Sequence, residues 1–189
     1  MVASVEIEHV FKYPIEQVAK THLNKYPNPM EPRVQNMKTL EHKNDNHQRI
    51  YYFRRLIICQ NLIPMALRKL NFMNVDNFEL EEEGWIDYAK RTMRLKSFCQ
   101  TFTTYADIRE SSVFTTHNSN HNWTVLRQQG SVEIKGLGYF GLIVEAFAQQ
   151  AMRHGAYQAT SIMDTLLKEQ ATEKISSQGH DSNQYRTNA

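Results

Sequence analysis

Two cysteines in 189 residues, Cys59 and Cys99, leave no material for a disulfide framework, and neither belongs to a Cys-x-x-Cys pair. Both stand in apolar, strand-like runs, the setting of a buried free thiol. No apolar run is long enough to span a bilayer as a helix, which takes roughly 18 residues or more. The formal net charge of +2 is too small for the basic face that a nucleic-acid footprint needs. Neither a signal peptide nor an Arg-rich presequence is expected at the N-terminus, because Val2 to Val10 already alternates like a strand. The motifs of common chemistry are missing: no His-Glu-x-x-His, no Gly-rich phosphate loop, no nucleophile elbow and no paired carboxylates. Eight histidines are scattered, and the pair His117 and His121 shares its loop with no carboxylate or cysteine. No enzyme activity, cofactor or metal is expected.

Proline is scarce but concentrated. Three of the five, Pro27, Pro29 and Pro32, fall within Lys25 to Arg33, a stretch that can be neither helix interior nor central strand and reads as a rigid turn. Hydrophobic residues at 41% and aromatics at 11% suffice for one sizeable core or a lined cavity. Before the turn, Val5, Ile7 and His9 alternate with Glu6 and Glu8 as a half-buried strand. Pro14 then opens a short helix to about Asn24, with Ile15, Val18, Ala19, His22 and Leu23 on its inner side.

After the turn, 34–43 and 49–60 read as strands joined at Asn44-Asp45-Asn46. Parity puts Tyr51, Phe53, Arg55, Ile57 and Cys59 on one face and Tyr52, Arg54, Leu56 and Ile58 on the other. Both faces are largely apolar, so whichever arginine points inward needs a partner. The rhythm breaks at 61–77, where Pro64 can open a short helix that is apolar and basic at once. It is either a connector on the sheet edge or a lid touching anionic membrane through Leu62, Ile63, Met65, Leu67, Arg68 and Lys69. Four more strands follow, at 78–87, 91–102, 105–116 and 123–135. Glu81-Glu82-Glu83 reads as a solvated strand face or edge.

The longest feature comes last. From Tyr139 to Gln170, Phe140, Ile143, Val144, Phe147, Ala151, Gly155, Ala159, Ile162, Met163 and Leu166 form one stripe at helical spacing. Unbroken, it would span about 48 Å. Its small residues would let another backbone approach closely, and the absence of sustained flanking charge pairs argues against a coiled coil. Residues 171–189 read as a disordered polar tail. The order β-α-β-β-α-β-β-β-β-α predicts an α+β helix-grip fold, a seven-stranded antiparallel curved sheet around a long C-terminal helix, with a cavity between them.

Lys25-Tyr-Pro-Asn-Pro-Met-x-Pro-x-Val34, placed after a strand and a short helix, resembles the signature of the PRELI domain family. The resemblance continues through Arg55-Leu-Ile, Leu62-Ile-Pro, a Trp123-Thr turn and Val144-Glu145, over residues 1 to about 170. It implies a StART/PITP-like phospholipid-transfer domain of the mitochondrial intermembrane space, carrying a phosphatidic acid-like lipid between membranes. It also implies peripheral contact with anionic membrane and a small helical-hairpin partner with twin Cys-x9-Cys motifs. Lys25 and Arg33 stand where relatives place basic residues on the headgroup. Cys59, Leu62, Ala151 and Gln158 stand where phosphatidic-acid carriers have lysines.

A buried phosphate must meet fixed cations. Lys25 and Arg33 are candidates, with capping of carbonyls in the proline turn as their alternative role. Arg55 either reaches the headgroup or pairs with a core carboxylate such as Glu145. A rival reading is an interaction module that keeps the partner surface but carries no cargo. A weaker one is a small-molecule binder or cyclase-type enzyme.

Overall fold

The computed structural model describes residues 2–61, 63–69 and 73–181. Ten elements follow one another: β1 (Val2–Phe11), α1 (Ile15–Leu23), β2 (Val34–Asp45), β3 (Ile50–Gln60), α2 (Met65–Arg68), β4 (Asn77–Asp87), β5 (Thr92–Cys99), β6 (Ala106–His117), β7 (Asn120–Ile134) and α3 (Tyr139–Asp181). The strands form one antiparallel sheet in the order β1-β7-β6-β5-β4-β3-β2, and the long helix lies across its concave side, as the element order predicts. From β2 to β7 each strand pairs with its sequence neighbour. β1 closes the set by pairing with β7 over its whole length, Val2 opposite Glu133 and Phe11 opposite Thr124. The edges are therefore β1 and β2.

Local chemistry explains the turns. Asp45 Oδ1 accepts from the amides of His47 and Gln48, both at 2.9 Å, and Arg49 closes that hairpin in the left-handed region at φ 56°. In the proline turn, Asn28 Oδ1 accepts from the Met30 amide at 2.9 Å, and the Tyr26–Pro27 peptide is cis. Trp123 and Thr124, which open the strand expected at 123–135, lie inside β7, where Thr124 is fully buried and donates to the Tyr13 carbonyl at 2.8 Å. The strand begins at Asn120 because His117 and Asn120 close a tighter hairpin than the polar run suggested.

The interior is uneven along the helix. At one end Phe11, Val18, Phe53, Met93, Met163 and Leu167 make a solid core in which α1, the sheet and the C-terminal half of α3 meet. At the other end Cys99, Phe102 and Ala106 form a smaller cluster with Ile63, Val75 and Phe78. Between them the small residues of α3 divide, with Ala156 packed against Val5 and Ile7 of β1 and Gly155 facing open space. A side chain added at Gly155 would meet nothing within 4 Å. The first turn of α3 also departs from the expected stripe, since Phe140 and Ile143 are 61% and 56% exposed. At the far end Leu167, not Leu166, is the fully buried residue.

Two further expectations are corrected. Glu81-Glu82-Glu83 lies on neither an edge nor a solvated face: β4 is flanked by β3 and β5, and Glu81 and Glu82 are buried. And α3 continues through 171–181, part of the stretch expected to be disordered, where good helix formers such as Ala171, Glu173 and Lys174 carry it on. Residues 182–189 lie outside the described residues.

One close approach is testable. Gly84 on β4 lies opposite Phe53 on β3, and a Cβ there would overlap the Phe53 ring, itself buried in the solid core. Gly84→Ala is expected to cost about 1–3 kcal/mol in denaturant unfolding, the usual effect of overpacking. An unchanged midpoint would contradict the packing described.

Candidate functional site

Strand parity carries the site. On β3 the buried residues are Phe53, Arg55, Ile57 and Cys59, so Arg55 is the inward arginine. Its carboxylate partner is Glu82 and not Glu145. Register places Arg55 opposite Glu82 on β4, and its Nε and Nη2 both reach Glu82 Oε1 at 2.7 Å. The same Nη2 stands 2.8 Å from His22 Nε2 of α1. A guanidinium can only donate, so Nε2 is the acceptor and the imidazole proton sits on Nδ1. The 3.3 Å contact of Nε2 with Glu82 is then a packing contact and not a hydrogen bond.

Electrostatics agree with that tautomer. Burial, reinforced by Lys25, pulls His22 down to about 3, which keeps the ring neutral. Burial alone would raise Glu82. The charges of Arg55, and of Lys25 beyond, outweigh that and hold the carboxyl well below the usual carboxylate range.

Glu82 of this triad lines a cavity of about 360 Å³, within the roughly 300–1,000 Å³ of ordinary ligand pockets, with Arg55 and His22 behind it. Its walls are mostly apolar: Ile57, Phe78, Leu80, Phe102 and Ile134 from the sheet side, and Val144 to Ala159 of α3 opposite. Five of the α3 lining residues are small (Ala148, Ala151, Gly155, Ala156 and Ala159), and their truncated side chains are what leaves the space. Ile63 and Met73 bound it on the side of α2.

The polar end is lined by Lys25, Glu31, Arg33, Glu82, Arg109 and Glu110. Lys25 is delivered by the end of α1, whose Asn24 side chain ties back to the Lys20 carbonyl at 2.8 Å. The residue keeps some accessible surface, yet its ammonium is enclosed; burial draws it down to about 8, against the opposing pull of Glu82. It lies 5.0 Å from the Tyr26 ring centre.

Among the described residues Arg33 bonds to side chains and to no turn carbonyl. Its Nε and Nη2 grip the buried Glu31 at 2.6 and 2.9 Å, and Nη2 also donates to Gln158 Oε1 of α3. Gln158 thus ties the long helix to the proline turn. Cys59 and Ala151 line the cavity and carry no charge, and burial raises the Cys59 thiol to about 11. Leu62 lies outside the described residues.

The expected site residues therefore divide. Lys25 and Arg33 are brought together at the cavity, and Arg55 stands one layer behind through Glu82. Glu145 is buried but is not among the lining residues. Of the lid set, Met65 is 81% exposed and Lys69 is exposed, whereas Ile63 packs on the Cys99 cluster. Arg68 is a clasp, donating to the Ile63 and Asn61 carbonyls at 2.9 and 2.6 Å. Sequence reasoning missed Glu31, Glu82 and Glu110. The last two had a signal, since parity aligns Glu82 with Leu80 and Ile86, and Glu110 with Ile108 and Phe114.

A curved antiparallel sheet wrapped on one long helix, with a cavity between, defines a helix-grip, ligand-binding class of protein. Solved structures share the fold. TTHA0849 from Thermus thermophilus superposes with a TM-score of 0.55 at 13% identity, covering 88% of this chain and 98% of its own. The Zhui aromatase/cyclase from Streptomyces sp. R1128 gives 0.55 at 10% identity, covering 93% and 96%. Ara h 8.0201 gives 0.53 at 11% identity, covering 89% and 99%. At such identities the likeness concerns fold alone. The model of the PRELI-like family matches residues 16–173, and the chain belongs to that family.

Two outcomes test the triad. Arg55→Met alone should cost about 3–5 kcal/mol, because it strands a buried carboxylate, whereas adding Glu82→Leu should recover most of that loss. An exposed or dispensable pair would lose less than about 1 kcal/mol in either variant. For His22 the folded value of about 3 lies below the unfolded 6.5, so the unfolded chain binds the extra proton between them. Melting temperature should therefore fall as pH drops through that window, and His22→Gln should flatten the slope. An equal slope in the variant would assign it to other groups.

Proposed function

We propose that the protein is a phospholipid carrier, not an enzyme: it takes one lipid into the cavity and moves it between membranes. The observation that supports this reading most is an apolar cavity under a long helix with Lys25 and Arg33 at its polar end. Acyl chains need the apolar walls, and a phosphate needs fixed donors. Phosphatidic acid, the barest phosphate lipid, is the reference cargo that the family resemblance suggests. The same resemblance supports the mitochondrial intermembrane space as the setting and a small twin Cys-x9-Cys helical hairpin as the partner. Exposed Met65 and Lys69 beside the cavity suit peripheral contact with an anionic bilayer, where one cation contributes about 1 kcal/mol.

One feature supports the rival reading of a module without cargo: Arg33 and Arg55 are already committed to Glu31 and Glu82. Filling the cavity separates the two. Gly155→Leu places a side chain in open space and removes a helix-interior glycine, so stability should hold or rise by up to about 1 kcal/mol. Extraction of lipid from vesicles should fall at least about tenfold, the loss that about 1.4 kcal/mol of binding brings. Unchanged extraction would contradict a cargo site in this cavity. For the partner, co-expression with a twin Cys-x9-Cys hairpin should raise soluble yield and give a stoichiometric complex; a chain that is equally stable alone and ignores the hairpin would remove it from the account.

A further inference from the structure

Among the described residues, the charged groups around the cavity cancel in pairs except for Lys25 and Glu110. Arg33 is held by Glu31, Arg55 by Glu82 and Arg109 by Asp107, with contacts of 2.6, 2.7 and 2.7 Å. That leaves Lys25 and Glu110. Among the described residues no ion pair involves Glu110. Its neighbours across the sheet are Ser97 on β5 and Gly130 on β7, neither of which brings a charge. Its hydrogen-bond partner is the amide of Gln128. Gly130 also leaves room on its inner side, and the Met152 thioether fills it so closely that a Cβ there would overlap the sulfur. Burial pushes the Glu110 carboxyl up, and Glu82 adds to that push more than Lys25 relieves it. The carboxyl faces the cavity in want of a cation.

A phosphomonoester suits this end poorly. It brings between about one and two negative charges at neutral pH and meets Lys25 and Glu110, neither of which is in an ion pair among the described residues. A phosphodiester with an ammonium on its far side matches both, phosphate toward Lys25 and ammonium toward Glu110, with no net charge added to a low-dielectric site. We propose that Glu110 sets headgroup specificity by accepting a primary ammonium beside the lipid phosphate, so that the preferred cargo is a zwitterionic phospholipid. A primary ammonium fits better than a quaternary one because it can donate hydrogen bonds to the carboxylate. The inference rests on the carrier reading and changes only the headgroup.

The full chain is offered vesicles of phosphatidylcholine containing equal amounts of phosphatidylethanolamine and phosphatidic acid, and the extracted lipid is identified by mass spectrometry. Wild type is expected to extract phosphatidylethanolamine over the other two. Glu110→Gln, which keeps an acceptor for Gln128 but removes the charge, is expected to lower the preference over phosphatidic acid by roughly ten- to a hundredfold. Lys25→Met is expected to weaken both lipids alike. A wild type that prefers phosphatidic acid overturns the role of Glu110 and leaves the carrier reading intact. So does an unchanged ratio in a folded Glu110→Gln. If that variant does not fold, the wild-type ratio decides alone. A wild type that extracts no lipid overturns the carrier reading and this inference with it.

Discussion

The interaction on which the rest depends is the buried pairing of Arg55 with Glu82, extended to His22. It joins three elements that sequence separates widely: α1, β3 and β4. A carboxylate this deep is stable only because the guanidinium meets it with two donors, and the guanidinium's remaining reach is met by a neutral imidazole. Lys25, one step further into the open space, is then exposed to the field of a fixed carboxylate and fixed in place by the end of α1. Remove the triad and Glu82 no longer stands as a fixed charge at the cavity, and Lys25 loses its electrostatic setting.

The cavity itself follows from side-chain size. The sheet curves around α3, and where α3 carries Met163 and Leu167 the gap closes into solid core. Where it carries alanines and Gly155 the same curvature leaves room. One helix thus serves as both keystone and cavity wall, with the change from Ala159 to Met163 occurring within about one turn. The tie from Arg33 through Gln158 holds the helix at that distance from the proline turn.

Much of this was legible in the sequence. Element order pointed to the sheet, the helix and the cavity between them, and β3 parity put Arg55 and Cys59 on one face while leaving open which face turns inward. What failed depended on register and on depth. The strand β4 could not be recognised as interior before the pairing order was known, so Glu82 was read as solvated and Glu145 was offered as Arg55's partner instead. The apolar stripe of α3 is continuous, yet only pairing with β1 and β7 reveals that its first turn overhangs the sheet. Small residues along a helix are equally consistent with close packing and with empty space; the distance to the opposite wall decides, and no local pattern encodes it. The proline turn, by contrast, pointed to the family from a single short stretch, Lys25 to Val34, because its geometry is nearly independent of everything distant.

The central claim is that the space between α3 and the sheet holds a phospholipid with its phosphate at Lys25. Native mass spectrometry of the full chain after incubation with mixed-lipid vesicles tests it most directly. The account predicts a single phospholipid per chain, retained in wild type and depleted in Lys25→Met with the fold intact. A folded wild-type chain that remains free of lipid, or one whose bound molecule carries no phosphate, would contradict it.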